Sequence, residues 1–157
     1  MNNEEKELIQ LMIESGQNLN ESIDDSGMTP LLVVAHEADP ELVLQLVEAG
    51  ADVNQANSEG MTPLMAACDA EEEVDTVLEV IATLVEAGAD INAMSKNGIT
   101  PLFLAVCWDE EEIAEALIEN GADIDKAISG AKLQIEAQSD EAEEFFEVIA
   151  DLEMLKK

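Results

Sequence analysis

The 157-residue chain carries 37 carboxylates against six lysines, with no arginine and no tyrosine, and its formal net charge is −31. Recognition of phosphate and nucleic acid draws on arginine forks and basic patches, so composition argues against direct binding to nucleic acid. The hydrophobic fraction of 47%, spread along the whole length, suits a folded chain rather than a disordered one, and the length suits one domain.

The first apolar-periodic stretch, NEEKELIQLMIESGQNLN, predicts a helix with Leu8, Leu11 and Met12 on one face, followed by a closing loop. No basic n-region precedes it, and no later run approaches the roughly 18 uninterrupted apolar residues of a membrane span. The expectation is a soluble, cytoplasmic protein with no membrane contact. GMTPLLVVA then begins at Gly27, GMTPLMAAC at Gly60 and GITPLFLAV at Gly98, at strides of 33 and 38 residues. In each, a threonine before a proline is an N-cap followed by a residue that needs no N–H, so Thr29, Thr62 and Thr100 are expected to open helices. Each unit also closes alike. VEAGADVN, VEAGADIN and IENGADID place Gly50, Gly88 and Gly121 where a helix stops with φ > 0.

Between these marks each unit breaks into two helices. HEADPEL supplies Asp39-Pro40 as a cap and first helical residue, and CWDEEEI supplies Asp109 as a cap with three glutamates in the first turn. The longer second unit keeps helical period through Val74, Val77, Leu78, Ile81, Leu84 and Val85, so its insertion is expected to lengthen the second helix and the turn before it. Beyond Asp125 the start signal is missing. There Phe145, Val148, Ile149 and Leu152 form an apolar stripe opposed by Glu143, Glu144, Glu147 and Asp151, a C-cap with a polar outer side.

A threonine-proline-leucine start, an alanine-containing first helix and a G-A-D-[VI]-[ND] close recurring in phase resemble the ankyrin repeat. The resemblance covers Gly27 to about Asp125. It implies an all-α solenoid of stacked helix-turn-helix units with extended β-turn loops: an N-cap over 1–26, repeats over 27–59, 60–97 and 98–129, and a C-cap over 130–157. Two departures stand out. The family's histidine after the start signal becomes Leu32, Met65 and Phe103, so apolar packing is expected to replace its hydrogen bonds. The family's Gly-His between helices becomes Ala38-Asp39 in the first unit and Asp109-Glu110 in the third.

Catalytic chemistry has little to build on. His36 is the only histidine and has no serine or cysteine nucleophile in a recognisable setting. Cys68 and Cys107 have no metal-ligand spacing and are read as free thiols, Cys68 in the core. DINAMSKNG and DDSG lack the spacing and terminal glutamate of a calcium loop. No enzyme activity, metal or cofactor is expected.

The resemblance implies an interaction module whose partner-facing positions lie on the loop tips and the exposed side of the first helices. That face takes Met28, His36 and Glu37 from the first unit, Ser58, Glu59, Met61 and Asp69 from the second, and Asn97, Ile99, Cys107 and Trp108 from the third. Met28, Met61 and Ile99 share one repeat position and are expected to form an apolar row. Trp108 has two readings: an interface anchor, or a lid folded over the C-cap against Ile128 or Leu133. Acidic residues cluster at Glu71, Glu72 and Glu73 beside Asp69, and at Asp109, Glu110 and Glu111, where they are expected to sum into a negative strip. Such a strip suits a basic protein partner, most concretely a cationic toxin such as a nuclease neutralised by an inhibitor or immunity protein, with the free chain a monomer. A general scaffold or adaptor, and a halophile protein acidic for solubility alone, are the competing readings.

Overall fold

The computed structural model describes residues 2–137 and 142–156, with the side chains of 137 and 142–145 outside that description. All described secondary structure is helical, and the chain divides into two compact units, Met1–Asp90 and Ile91–Lys157. Each is built from paired helices.

The first unit holds α1 (Asn3–Glu14), α2 (Pro30–His36), α3 (Pro40–Glu48), α4 (Pro63–Cys68) and α5 (Val74–Glu86). Helices α2 and α4 pack side by side in one layer, and α3 lies between α1 and α5 in the other. The threonine-proline signal works as expected. Thr29 Oγ1 accepts from the Leu32 N–H at 3.3 Å and Thr62 Oγ1 from the Met65 N–H at 3.3 Å, each with proline at the first helical position. Leu32 and Met65, which stand where the family has histidine, are 1% and 0% exposed, so apolar side chains do fill that place.

α1 starts at an Asn2–Glu5 capping box. Its buried face is one residue off the expected stripe: Ile9 is 6% exposed, with Met12 and Ile13 half-buried, whereas Leu8 and Leu11 are 58% and 57% exposed. The helix carries apolar residues on two faces, and only packing against α3 decides which is covered. Lys6 on the same helix donates to Asp39 Oδ2 at 2.7 Å. Asp39 also caps α3, accepting from the Leu42 N–H at 3.1 Å. Partial burial pushes its carboxyl up, but the Lys6 ammonium and the Leu42 N–H outweigh that and hold it below its ordinary value. The insertion in the second repeat lengthens α5 to 13 residues against nine in α3.

The second unit holds α6 (Pro101–Cys107), α7 (Glu111–Glu119), α8 (Ile124–Ala137) and α9 (Ala142–Met154). Thr100 caps α6 through the Phe103 N–H at 3.1 Å, and Phe103 is 3% exposed. Asp109 is not the cap of α7. It sits at φ 60° in the left-handed region, and Glu110, at the cap position, accepts no backbone N–H through its side chain. Ala38 (φ 44°) holds the corresponding place in the first repeat, so both residues adopt the backbone that glycine supplies in the family pattern.

After Gly121 the chain does not form the extended loop expected of a third repeat. Asp123 accepts from the Lys126 N–H at 3.1 Å and α8 begins at once, so the anticipated boundary between 129 and 130 falls inside a helix. α8 packs on α6, and α9 packs on both. Of the expected C-cap stripe, Val148 and Leu152 are buried and Ile149 half-buried, with Glu147 and Asp151 exposed; the side chains of Phe145, Glu143 and Glu144 lie outside the described residues. A glycine makes the α8 contact possible. A Cβ added at Gly130 would lie 1.8 Å from the Gly98 carbonyl oxygen, because the 95–98 turn rests directly on the helix backbone. The Gln134 side-chain amide donates to the Asn97 carbonyl beside it.

Successive repeats are tied by asparagines. Asn20 Oδ1 accepts from the Asp52 N–H at 2.8 Å. Asn54 Oδ1 accepts from the Asp90 N–H at 2.7 Å while its Nδ2 donates to the Gly88 carbonyl at 3.0 Å. In the second unit Asn92 makes the same two bonds to Asp123 and Gly121, at 2.7 and 3.0 Å. Each Gly-Ala-Asp close thus presents backbone groups that the previous repeat's asparagine satisfies.

Replacing Asn54 with alanine removes one donor and one acceptor at a repeat junction and is expected to lower unfolding free energy by about 1–2 kcal/mol, read from urea melts; Asn54→Asp should recover only the accepting half. Gly130→Ala is expected to cost about 1–3 kcal/mol, because the turn or the helix must move, whereas Ala131→Gly on the same helix should cost only about 1 kcal/mol.

Candidate functional site

The loop tips are built by side chains that hold their own turns. Asp24 Oδ1 accepts from the Ser26 N–H and hydroxyl and from the Met28 N–H at 2.7–3.0 Å, and the Ser26 hydroxyl in particular lowers its carboxyl pKa. Asn57 Oδ1 accepts from Glu59 and Met61 N–H groups at 2.9 and 3.0 Å, and Ser95 Oγ from the Ile99 N–H at 3.0 Å. In the first unit the two tips also join, the Ser58 N–H donating to the Ser26 carbonyl at 2.8 Å. Gly27 lies under that bond at φ 83°, where a Cβ would meet Ser58 N at 2.9 Å.

This construction changes the meaning of the apolar row. The Met28, Met61 and Ile99 carbonyls accept from Ile23, Asn57 and Ser95 N–H groups and close their turns, and all three side chains are half-buried. Asn57 Nδ2 lies 3.7 Å from the Met28 sulfur. These residues therefore brace the tips more than they present a free surface. Ser58 and Glu59 are exposed in the first unit, as Asn97 is in the second. His36 is exposed at the last turn of α2 with Glu37 half-buried after it, and Asp69 is half-buried at the end of α4. Glu71, Glu72 and Glu73 are exposed in the turn before α5. Cys68 is 2% exposed, and burial drives its thiol far up from the ordinary range, which makes it a core residue. Cys107 is half-buried.

Trp108 follows the last residue of α6 and is 59% exposed, while Ile128 is 6% exposed. An indole so exposed is not the buried lid that would seal the C-cap. Next to it in sequence, the α6–α7 turn borders a groove of about 310 Å³ in the second unit. Its apolar floor is Ala105, Val106 and Ala114, with Met154 and Leu155 from the end of α9 forming one wall. Its rim is acidic: Asp109 and Glu110 from the turn, Glu111 and Glu115 from α7 and Asp151 from α9. Asp109, Glu110 and Glu111 were legible as a cluster from sequence. Met154 and Leu155 were not, because local sequence does not distinguish an apolar residue that packing leaves uncovered, and these are 65% and 39% exposed.

Among the described residues no group of three histidine, cysteine, aspartate or glutamate side chains is arranged to hold a metal ion, and no helix is long and apolar enough to cross a membrane. The family model for ankyrin repeats (3 copies) matches residues 1–95 and 33–128. This chain belongs to the ankyrin-repeat family. No curated protein matches it. Membership makes it a protein–protein interaction module of a generally non-enzymatic class, and the repeat-by-repeat construction of tips, helices and asparagine ties is the ankyrin scaffold on which such binding is mounted.

Because Trp108 is the only tryptophan and stands largely in water, its emission in the native ankyrin protein should lie close to that of the unfolded chain. Trp108→Ala should change unfolding free energy by less than about 1 kcal/mol. A strongly blue-shifted native spectrum would place the indole in the cap instead.

Proposed function

We propose that this ankyrin protein captures a basic protein partner through its acidic turns and first-helix face, without performing a reaction. The observation that carries the reading is charge placed where binding surfaces are built: Glu71, Glu72 and Glu73 in one unit and Asp109 and Glu110 in the other lie on the turns between paired helices, with Glu111 opening α7, and most of them are exposed. Held at a net charge of −31, such turns attract cations over distances of about a Debye length, roughly 8–10 Å at physiological salt, and raise association rates with a basic partner. The self-repulsion of the free chain is relieved when the partner's charge arrives.

The most concrete form of the reading is an inhibitor or immunity protein for a cationic enzyme such as a nuclease. Lysines and arginines that such an enzyme uses on phosphates are drawn equally to closely spaced carboxylates, so an arginine-free acidic surface competes directly for them. Trp108 supplies the kind of large exposed anchor that interfaces use for specificity. A general adaptor differs in one respect: its binding rests on the anchor and not on the field.

The test is capture of partners from source lysate on the immobilised protein, followed by measurement of the identified partner's affinity. Electrostatic capture predicts a loss of about 10-fold or more between low and moderately high salt, and a comparable loss for E71Q/E72Q/E73Q. Affinity that ignores salt and the triple substitution but falls with Trp108→Ala establishes the adaptor reading, and a chain that folds only in molar salt establishes acidity as a solvent adaptation.

A further inference from the structure

The groove between the α6–α7 turn and the end of α9 combines an apolar floor with an acidic rim. Met154 and Leu155 stand 65% and 39% exposed at its wall although the neighbouring Leu152 on the same helix is 0% exposed, so α9 has covered its core face and still presents two large apolar side chains. Among the described residues no lysine lines the groove, and Lys156, next in sequence to Leu155, donates to Asp125 Oδ1 at 2.6 Å and is directed to that carboxylate. Five carboxylates therefore surround an apolar strip with no lysine among its described lining residues.

We propose that this groove receives an amphipathic basic segment of the partner, its apolar side chains seated between Met154, Leu155 and the Ala105–Ala114 floor while its lysines or arginines reach the rim carboxylates. The proposal rests on the basic-partner reading above and names the place and the chemistry of that recognition. A volume of about 310 Å³ accommodates apolar anchors and not a whole peptide, which suits a helix laid across the groove with one face inserted. Methionine adapts to the shape of what it meets, and long basic side chains lay apolar stems along such a strip while their charged ends stay at the rim. A second copy of this chain is the wrong occupant, because two bodies of net charge −31 repel.

The test uses two labelled helical peptides of about four turns and equal positive charge, one with leucine and lysine segregated on opposite faces and one with serine in place of leucine. Anisotropy at about 0.15 M salt should show the leucine peptide binding at least about 10-fold tighter, and M154Q/L155Q, which alters two exposed side chains without changing charge, should erase that advantage and leave the serine peptide's affinity as it was. Circular dichroism and urea melts confirm that the variant folds. Equal binding of the two peptides, or an advantage that survives M154Q/L155Q, overturns the groove while leaving electrostatic capture standing; absence of binding by either peptide overturns both. Dimerisation of the free protein that M154Q/L155Q abolishes overturns the proposed occupant.

Discussion

The junction between successive repeats depends on one small side chain in each closing loop. Asn54 and Asn92 each accept a backbone N–H from the aspartate of the following Gly-Ala-Asp turn and donate to its glycine carbonyl, two bonds of 2.7 and 3.0 Å in each case. Both partners are backbone groups of the turn that follows a helix, outside its hydrogen-bond ladder. One amide therefore satisfies two such backbone groups and fixes the spacing at which the next helix pair arrives. The apolar residues that replace the family's histidine can pack at that spacing because the asparagines have set it. Leu32, Met65 and Phe103 are nearly sealed from solvent and make no polar demand on the core.

Binding capacity follows from what this scaffold leaves over. Backbone polar groups at the tips are satisfied internally by Asp24, Asn57 and Ser95, so those turns stay ordered without a partner. Rigidity of this kind lowers the ordering cost of association. The turns between paired helices have different constraints. In the second repeat the turn is lengthened and carries three exposed glutamates; in the third Asp109 takes a left-handed backbone and directs the chain into Glu110 and Glu111 at the groove rim. A non-glycine residue costs stability at such a conformation, and here the aspartate keeps a carboxylate at the one place where glycine would have removed it.

The repeat starts, the proline-led helices, the lengthened α5 and the burial of Cys68 were all readable from residue order, because caps, helix breakers and 3.6-residue periodicity are local properties. The misreadings share a physical cause. Leu8 and Leu11 were as apolar as Ile9, but a helix with two apolar faces is resolved only by the neighbour it meets. Asp109 looked like the cap of α7 because aspartate before a run of glutamates is a strong local signal, yet the chain needed a left-handed residue at that point to turn between helices. Gly130 was the clearest missed sign. A glycine inside an apolar helical run costs about 1 kcal/mol relative to alanine, and here it marks the place where another backbone lies against the helix.

By itself the sequence determined the repeat, the proline-led helix starts, the glycine stops and the sign of the surface, since each follows from neighbours along the chain or from a sum over composition. Only tertiary structure decided that the last repeat runs straight into α8, that the apolar row at the tips is half-buried, and that Met154 and Leu155 line an acidic groove instead of a core. Those outcomes depend on which surfaces are left uncovered when helices distant in the chain pack, and burial against a distant partner leaves no mark in the residues on either side of it.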